Sequence, residues 1–594
     1  MRRFFLLLRV LCIAAATAVC MQSCDEVSGF EKGSEAVTWR ESDTKNVSSA
    51  QSTFTFSFTA REAWQVVSDR TDMLTVISSA SGTKGRGTVS CAVSENQTGS
   101  TRTAHLLITV EGYGSETLLT VVQTDSRHAD YDVNAQKIDP LLAEYYLWND
   151  EYKTLKRTYE QPYDDFVEKT LLSMKTNGED GNTYSDGSRY LYSYIVRTPA
   201  SGASRSVLDK ETEPTFGIVN VMAVTLVDSS GKDTGSRAFC LSGVYPGTPA
   251  ANAGLKRGSW ILEYDGKKLT QTSMYDAFAA LVASPRAGES HKLTVVDEYS
   301  ADAEQKTVTL TAADMSLNPV LYSDVIESGG VKIGYLVYAN FEASFDDELL
   351  AEIRKFKSAG ISDLVLDLRV NGGGHVISAQ MLASIIAGQQ GVGKDCLKYE
   401  YNPDRMKKMG YSKPDKMETL KFGPDAAPKD HISNYTTSDY LSLSRVYVLV
   451  TGSTASASEL TFTSLRGIDF PVTLIGERTE GKNVGMEPQL FKYDGYDYQF
   501  YPITFRYFNA KNATCDPDGT KPDYEIDEWS AGRSSYRNWG SEGEPFLSKA
   551  LELITGHSQA SLTRSAEEPS FRGVPSGVTL RTGRGGLIAP TKEN

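Results

Sequence analysis

The sequence predicts a multidomain protein with an N-terminal all-β sandwich, a small helical segment, a second β-rich domain and an α/β domain with a mostly parallel sheet. Three observations predict this architecture. The chain has 594 residues, several times the length of one ordinary domain. Its first part contains short alternating apolar runs between turn residues, the pattern of half-buried strands. Its second half alternates strand-like and helix-like segments, as parallel βαβ units do.

The N-terminus predicts export. Residues 1–23 begin with charged Arg2 and Arg3 and continue as an apolar stretch too short to span a membrane. Ser23 and Cys24 resemble the cleavage site of a bacterial lipoprotein signal, which implies a lipid on Cys24, a tether over 24–33 and a place in the cell envelope at the outer membrane. The resemblance leaves open which face of that membrane carries the protein. An ordinary signal peptide cut nearby is the alternative.

Charge and cysteine usage exclude several function classes. The formal net charge is −15 and the chain has no broad basic stripe, which argues against a nucleic-acid partner. Cys91, Cys240, Cys396 and Cys515 lie in separate stretches without CxxC spacing, so neither a disulfide framework nor a zinc site is expected. We interpret them as buried free thiols, and the sequence implies no metal or cofactor.

Residues 34–126 predict the all-β sandwich. In "STFTFSFTA", Phe54, Phe56 and Phe58 recur at every second position and therefore share one face of a sheet. The set Trp64, Asn96, Arg102 and Gln123 resembles the BACON-type immunoglobulin-like modules. That resemblance favours a spacer that lifts the following domains off the membrane, with glycan binding as the alternative.

Residues 127–204 predict a small helical segment. "AQKIDPLLAEYYLWNDEYKTL" and "PYDDFVEKTLLSMK" carry apolar residues three and four positions apart, as amphipathic helices do. We expect these helices to form a lid or collar on the domains that follow.

Residues 205–315 resemble a PDZ domain through "TFGIVN" and "VYPGTPAANAGLKRGSWILEYDGKKL". The resemblance implies that a polypeptide C-terminus adds as a strand, with its carboxylate on the backbone amides of Phe216, Gly217, Ile218 and Val219. The segment "SMYDAFAALVAS" would form the helix beside the groove. A PDZ-like fold used only for packing is the alternative.

Residues 325–556 predict the α/β domain. "DLVLDL" and "RVYVLV" read as buried strands, and the loops "RVNGGGH" and "GSTASASE" follow them. Loops at the carboxyl ends of parallel strands are where such folds place their sites. Residues 393–440 read as an insertion facing the active-site cleft, and residues 557–594, rich in Ser, Gly and Pro, as a disordered tail.

Three stretches of this domain, "DLVLDLRVNGGG", "VLVTGSTASASE" and "IGERTEGKNVG", resemble the catalytic motifs of the C-terminal processing peptidases, the tail-specific serine proteases. The resemblance implies a crotonase-like sheet, the nucleophile Ser456 and the base Lys482. It also implies an oxyanion hole formed by the amides of Gly373 and Ala457. Ser458 is expected to cap the following helix.

The chemistry requires these residue types. A serine hydroxyl is a poor nucleophile until a neighbouring base takes its proton. Lysine can be that base only when neutral, and burial disfavours an ammonium. Glycines let backbone N–H groups converge on a substrate oxygen without a Cβ in the way. Asp367 and Arg369 are expected to anchor the strand end.

One position departs from the family pattern. Many members have a glutamine four residues beyond the lysine, and this chain has Met486. Glu487 or Gln489 could substitute for it, or the enzyme could use a bare Ser–Lys pair. His375, directly after the glycines, is interpreted as a residue at a helix start.

The sequence therefore predicts a membrane-tethered serine endopeptidase whose PDZ domain recognises the C-termini of its polypeptide substrates. Whether that domain delivers the substrate or gates the activity stays open. The alternative is a non-enzymatic surface lipoprotein that binds glycan or peptide through its BACON-like and PDZ modules.

Overall fold

The computed structural model describes residues 32–34, 36–39, 44–47, 49–96, 98, 101–123, 132–183, 187–199, 210, 212–228, 230–299, 303–411, 417–424, 435–531, 536–557, 572–575 and 587–588. The predicted signal peptide, Cys24 and most of the predicted tether and tail lie outside these residues. Two compact units are present. One holds the described residues before Val133 and Lys492–Tyr496, and the other holds Val133–Phe491 with the described residues from Asp497 onward. No described helix is long and apolar enough to cross a membrane.

The first unit consists of two five-stranded sheets. Its strands are β1 (Lys32–Gly33), β2 (Val37–Trp39), β3 (Thr44–Val47), β4 (Ser52–Ala60), β5 (Trp64–Ser68), β6 (Leu74–Ser78), β7 (Ser81–Gly82), β8 (Gly85–Val93), β9 (Arg102–Val110) and β10 (Gly114–Gln123). The strand orders are β1-β2-β4-β8-β6 and β3-β10-β9-β5-β7. Phe56 and Phe58 of β4 are buried, and strands of both sheets contribute to one apolar core.

The polar residues that suggested a BACON-like module form an internal network. Arg102 Nε donates to Gln123 Oε1 over 2.9 Å, and Gln123 Nε2 donates to the carbonyl of Ser94 over 2.8 Å. Asn96 and Gln123 are fully buried. These side chains therefore support the loop between β8 and β9.

The second unit begins with α1 (Val133–Tyr145), α2 (Asn149–Thr154) and α3 (Tyr163–Leu172). The prediction of a helical segment is wrong beyond these helices, because β11 (Asn182–Thr183), β12 (Arg189–Tyr190) and β13 (Tyr194–Pro199) follow. The reason is visible in "RYLYSYIV", where aromatic residues recur at every second position, the spacing of a strand.

The PDZ region contains β14 (Glu213–Thr215), β15 (Ile218–Val227), β16 (Asp233–Val244), β17 (Trp260–Tyr264), β18 (Lys267–Lys268), β19 (Ser290–Val296), β20 (Lys306–Thr311) and β21 (Ala313–Met315). Its helices are α4 (Pro249–Asn252) and α5 (Ser273–Phe278), and α5 continues as one π-helical turn, Ala279–Ala283. Strands β20-β19-β17-β16-β15 lie side by side, and the apolar faces of β15, β16 and α5 share one core.

The α/β region is built on a six-stranded sheet of order β22-β23-β24-β27-β28-β33. All adjacent strands are parallel except the first pair. The strands of the region are β22 (Val320–Ser328), β23 (Val331–Tyr338), β24 (Asp363–Asp367), β25 (Asp395–Tyr401), β26 (Glu418–Lys421), β27 (Val446–Val450), β28 (Val472–Gly476), β29 (Val484–Met486), β30 (Gln489–Tyr493), β31 (Tyr496–Tyr501), β32 (Ile503–Phe508), β33 (Tyr524–Glu525), β34 (Arg572–Pro575) and β35 (Leu587–Ile588).

Helices cover both faces of this sheet. The helices of the region are α6 (Asp346–Ala359), α7 (Val376–Ala387), α8 (Pro403–Lys408), α9 (Ala457–Gly467), α10 (Glu528–Ala531) and α11 (Pro545–Thr555). Leu364 and Leu366 of β24 pack into the core with α6, α7 and α9, whereas Val365 packs with α11. Because alternate residues face opposite sides of a strand, β24 is apolar throughout, as the sequence predicted.

One expectation for this region is wrong, and a second fails for the two short described pieces of its segment. The predicted insertion is part of the fold, because β25 pairs with β32 and places Cys396, Leu397 and Tyr399 in the main core. Within the segment predicted to be disordered, β34 pairs with β15 and β35 pairs with β29. Backbone hydrogen bonding, which composition does not report, orders these short pieces.

The prediction for the cysteines is confirmed. Cys91, Cys240, Cys396 and Cys515 are free and buried. Burial raises the pKa of the Cys91 thiol to about 11 and that of Cys396 to about 12.

Candidate active site

Three loops meet where parallel strands β24, β27 and β28 end. These strands are neighbours in the sheet, with β27 in the middle. The loop after β27 carries Ser456, the loop after β24 carries Gly373, and the loop after β28 carries Lys482. The topology therefore places the loops of the predicted base and oxyanion hole on either side of the predicted nucleophile.

The Ser456 turn has a strained backbone. Ser456 precedes α9 with φ 63° and ψ −112°, a conformation that costs a non-glycine residue about 1–3 kcal/mol. Its side chain is fully buried, and Oγ has no hydrogen-bond partner among the described residues. A strained turn from strand to helix is the geometry that presents a nucleophilic serine.

Gly373 lies directly against this turn. A Cβ on Gly373 would be 2.8 Å from the Ser456 Cβ and 3.1 Å from the amide nitrogen of Ala457. Its φ of +114° also requires glycine. The structure thus brings together Gly373, Ala457 and Ser456, as the sequence predicted. The amide of Gly373 donates to Asn371 Oδ1 over 2.9 Å, so a substrate oxygen binding there would replace that side-chain acceptor.

Asn371 joins the glycine loop to the serine turn, and sequence reasoning missed it. Its carbonyl accepts from the Ala455 amide over 3.2 Å and from Ser458 Oγ over 3.0 Å. Its side-chain amide donates to the Tyr338 carbonyl over 2.9 Å. The prediction that Ser458 caps α9 is wrong, because Ser458 lies inside the first turn and its hydroxyl serves this loop contact instead.

Glu459 holds the nucleophile turn and the lysine loop together, and it was also missed. Its fully buried carboxylate accepts from the amides of Ser456, Gly481 and Lys482 at 2.8–2.9 Å and from Thr479 Oγ1 at 2.6 Å. Burial raises the pKa of Glu459 to about 7, against the lowering effect of these four donors. The available signal was a Glu three residues after Ser456, the spacing of a helix capping box.

Lys482 is 1% exposed and lies beneath the N-terminal segment of the second unit. Its Nζ is 4.5 Å from the centroid of the Tyr192 ring. The Tyr192 hydroxyl donates to Glu480 Oε1 over 3.0 Å, two residues before the lysine. No feature of the sequence linked residue 192 to this loop.

The candidates for the missing glutamine have other roles. Met486 is fully buried in the core beneath the N-terminal helices. Glu487 pairs with Arg405, and Gln489 Nε2 donates to the Glu487 carbonyl over 3.1 Å. His375 is the N-cap residue of α7, which confirms its interpretation as a residue at a helix start.

Asp367 and Arg369 anchor the end of β24, as predicted. Arg369 is fully buried and pairs with Asp367 at 2.6 Å, with Glu544 at 2.7 Å and with Glu528. Arg257 of the PDZ region also pairs with Glu528. This buried ion cluster fixes the backbone from which the glycine loop departs.

The predicted peptide-binding residues form a turn and the start of β15. Phe216 is buried, and Gly217 has φ +85° with its amide donating to Thr215 Oγ1 over 2.9 Å. Ile218 and Val219 begin β15. Beyond them, residues 224–227 of the same strand pair with β34.

Two family models match parts of this chain. Residues 332–526 match the model of peptidase family S41, and residues 241–297 match that of the PDZ domain. Both expected modules are therefore confirmed.

The chain is similar to carboxyl-terminal processing proteases. One, from Picosynechococcus, is 26% identical over 311 residues, which cover 52% of this chain and 65% of the relative. A chloroplastic C-terminal processing peptidase from Tetradesmus obliquus is 28% identical over 165 residues, covering 25% of this chain and 35% of the relative. The match thus spans less than two thirds of either relative. A Bacteroides fragilis crystal structure named for the S41 proteases aligns with TM-score 0.53 and 25% identity, over 71% of this chain and 97% of that one.

Proposed function

We propose that this protein is a membrane-tethered serine endopeptidase of the C-terminal processing type, with Ser456 as nucleophile and Lys482 as general base. The observation that carries the proposal is the meeting of three loops around Ser456. The glycine loop lies in contact with it, and Glu459 bonds both the Ser456 amide and the Lys482 amide.

The reaction follows from these groups. Neutral Lys482 Nζ takes the Ser456 proton as Oγ bonds to the substrate carbonyl carbon, and the carbonyl electron pair moves onto oxygen. The amides of Gly373 and Ala457 stabilise that oxyanion. When it collapses, the C–N bond breaks and the leaving amine takes the proton from the Lys482 ammonium, which leaves an acyl-serine. Water then repeats the cycle, with Lys482 as its base.

Cleavage of an unfolded reporter protein by residues 25–594 tests this proposal. Ser456→Ala and Lys482→Ala are expected to lower kcat by at least about a thousandfold with unfolding temperatures preserved. Ser453→Ala is the matched control, because Ser453 is an exposed serine of the same turn. Full activity of Ser456→Ala would refute the mechanism.

The PDZ domain is proposed to bind the C-terminal end of a substrate along β15. The support is the glycine turn at residues 216–219 at the start of β15 and the strand pairing that β15 already makes with β34. A reporter with a free C-terminal carboxylate should be cleaved faster than the same reporter with a C-terminal amide. Equal kcat/KM for the two would argue against recognition of C-termini.

The lipid anchor on Cys24 and the BACON-like spacer complete the proposal. Cys24→Ser in the full chain should move the protein from the membrane fraction to the soluble fraction. Equal partition of both versions would refute lipidation. A spacer role also predicts that the first unit can be replaced by an unrelated domain without loss of cleavage.

A further inference from the structure

We infer that Tyr192 is the positioning residue for Lys482, in place of the glutamine that Met486 replaces. The inference rests on the proposed function of Lys482 as the base. It starts from the contact of Lys482 Nζ with the Tyr192 ring at 4.5 Å, which is well within the range of a cation–π interaction.

Tyr192 is held rigidly enough to position another group. Its hydroxyl donates to Glu480 Oε1 over 3.0 Å, and its backbone amide donates to Asp180 Oδ1 over 3.1 Å. Asp180 is fully buried and also accepts from Ser193, through the amide at 2.9 Å and the hydroxyl at 2.7 Å. The ring is therefore fixed from both its backbone and its hydroxyl end.

Glu480 links Tyr192 to the loop that carries Lys482. The Tyr190 hydroxyl also donates to its carboxylate, and Asn182 Nδ2 donates to its carbonyl over 3.2 Å. Burial raises the pKa of Tyr192 above its ordinary value, so the phenol keeps the proton that it donates to Glu480. Asn182, Tyr190 and Tyr192 thus hold the loop at Glu480, two residues before Lys482, and the Tyr192 ring faces Nζ.

The ring face favours the charge that develops during catalysis. Lys482 becomes an ammonium as it takes the Ser456 proton, and an aromatic face attracts a desolvated ammonium. A partner already in place for that charge lowers the barrier without reorganising during the reaction. At the upper strength of such contacts, losing the ring corresponds to a decrease in kcat of about thirtyfold.

Steady-state kinetics of residues 25–594 with the unfolded reporter test the inference. Tyr192→Leu should lower kcat about thirtyfold with KM within about threefold, whereas Tyr192→Phe keeps the ring and should stay within about threefold of the unaltered chain. Tyr190→Phe is the matched control, because it also removes a hydroxyl bond to Glu480 but no ring over Lys482.

A fluorinated series keeps the test valid even where Tyr192→Leu fails to fold. Phenylalanine and its mono-, di- and trifluoro analogues at position 192 preserve ring shape and progressively weaken the attraction of the face for a cation. Stepwise loss of kcat with increasing fluorination supports the inference. Unchanged or rising kcat across the series would overturn it. Inactivity of the unaltered chain would instead contradict the proposed function, so the two failures are distinguishable.

Discussion

Gly373→Ala tests the close approach between the glycine loop and the nucleophile. The added Cβ would lie 2.8 Å from the Ser456 Cβ, about 0.7 Å inside the normal contact distance of two carbon atoms. Its backbone would also hold alanine at φ +114°, which costs about 1–3 kcal/mol. Either the serine turn or the glycine loop must move, and the oxyanion donors then no longer converge.

We expect kcat to fall at least about a hundredfold, the effect of losing one oxyanion donor or of a misplacement near 1 Å. Initial rates with the unfolded reporter measure kcat, and thermal unfolding measures stability. Gly393→Ala is the matched control, because Gly393 has φ +74° but no atom within 4 Å of its Cβ position. It should lose about 1–2 kcal/mol of stability and keep full activity. Activity of Gly373→Ala within threefold of the unaltered chain would refute the reasoning.

Three further predictions concern buried groups. Because burial raises the pKa of Glu459 to about 7 from 4.5, its contribution to folding stability is fully present below about pH 4.5 and is lost, by about 3 kcal/mol, as the pH rises through 7. The free energy of unfolding, measured as a function of pH, should show this loss in the unaltered chain and not in Glu459→Gln. The same pH dependence in both proteins would contradict the prediction. Arg369→Met leaves Asp367 and Glu544 buried without their cation, so it should lower the free energy of unfolding, measured by chemical denaturation, by about 3–5 kcal/mol. Lys511→Met removes one partner of an exposed ion pair and should lower it by less than about 1 kcal/mol. If the two substitutions lower the free energy of unfolding equally, the buried ion cluster does not anchor the end of β24. The four buried thiols are those of Cys91, Cys240, Cys396 and Cys515. Mass spectrometry should show that they resist alkylation in the native protein and react on unfolding. Labelling of any of them in the native protein would place that thiol at the surface.

Local patterns in the sequence were sufficient to predict most of the elements that carry the site. The apolar runs before Arg369 and Thr451 form β24 and β27, buried throughout, and the loops predicted to be functional follow them. The alternation of Phe54, Phe56 and Phe58 correctly indicated a strand. Such patterns succeed because the side-chain period of a strand or helix is a local property of the backbone.

Errors occurred where a distant partner decides the conformation. The segment 393–440 looked like an insertion, but β25 gains its hydrogen bonds from β32, more than a hundred residues later in the chain. Ser458 looked like a helix cap because a cap is judged from its own turn, whereas its hydroxyl bonds to Asn371 in another loop.

The sequence by itself determined the residue types of the site, since a serine turn, a glycine loop and a lysine loop each have a short local signature. Only the tertiary structure decided what holds them together. The Glu459 carboxylate joins two loops, and Tyr192 contacts a lysine 290 positions away in the chain. Neither role has a local pattern, because a buried carboxylate or ring is selected by the donors and charges that folding brings to it.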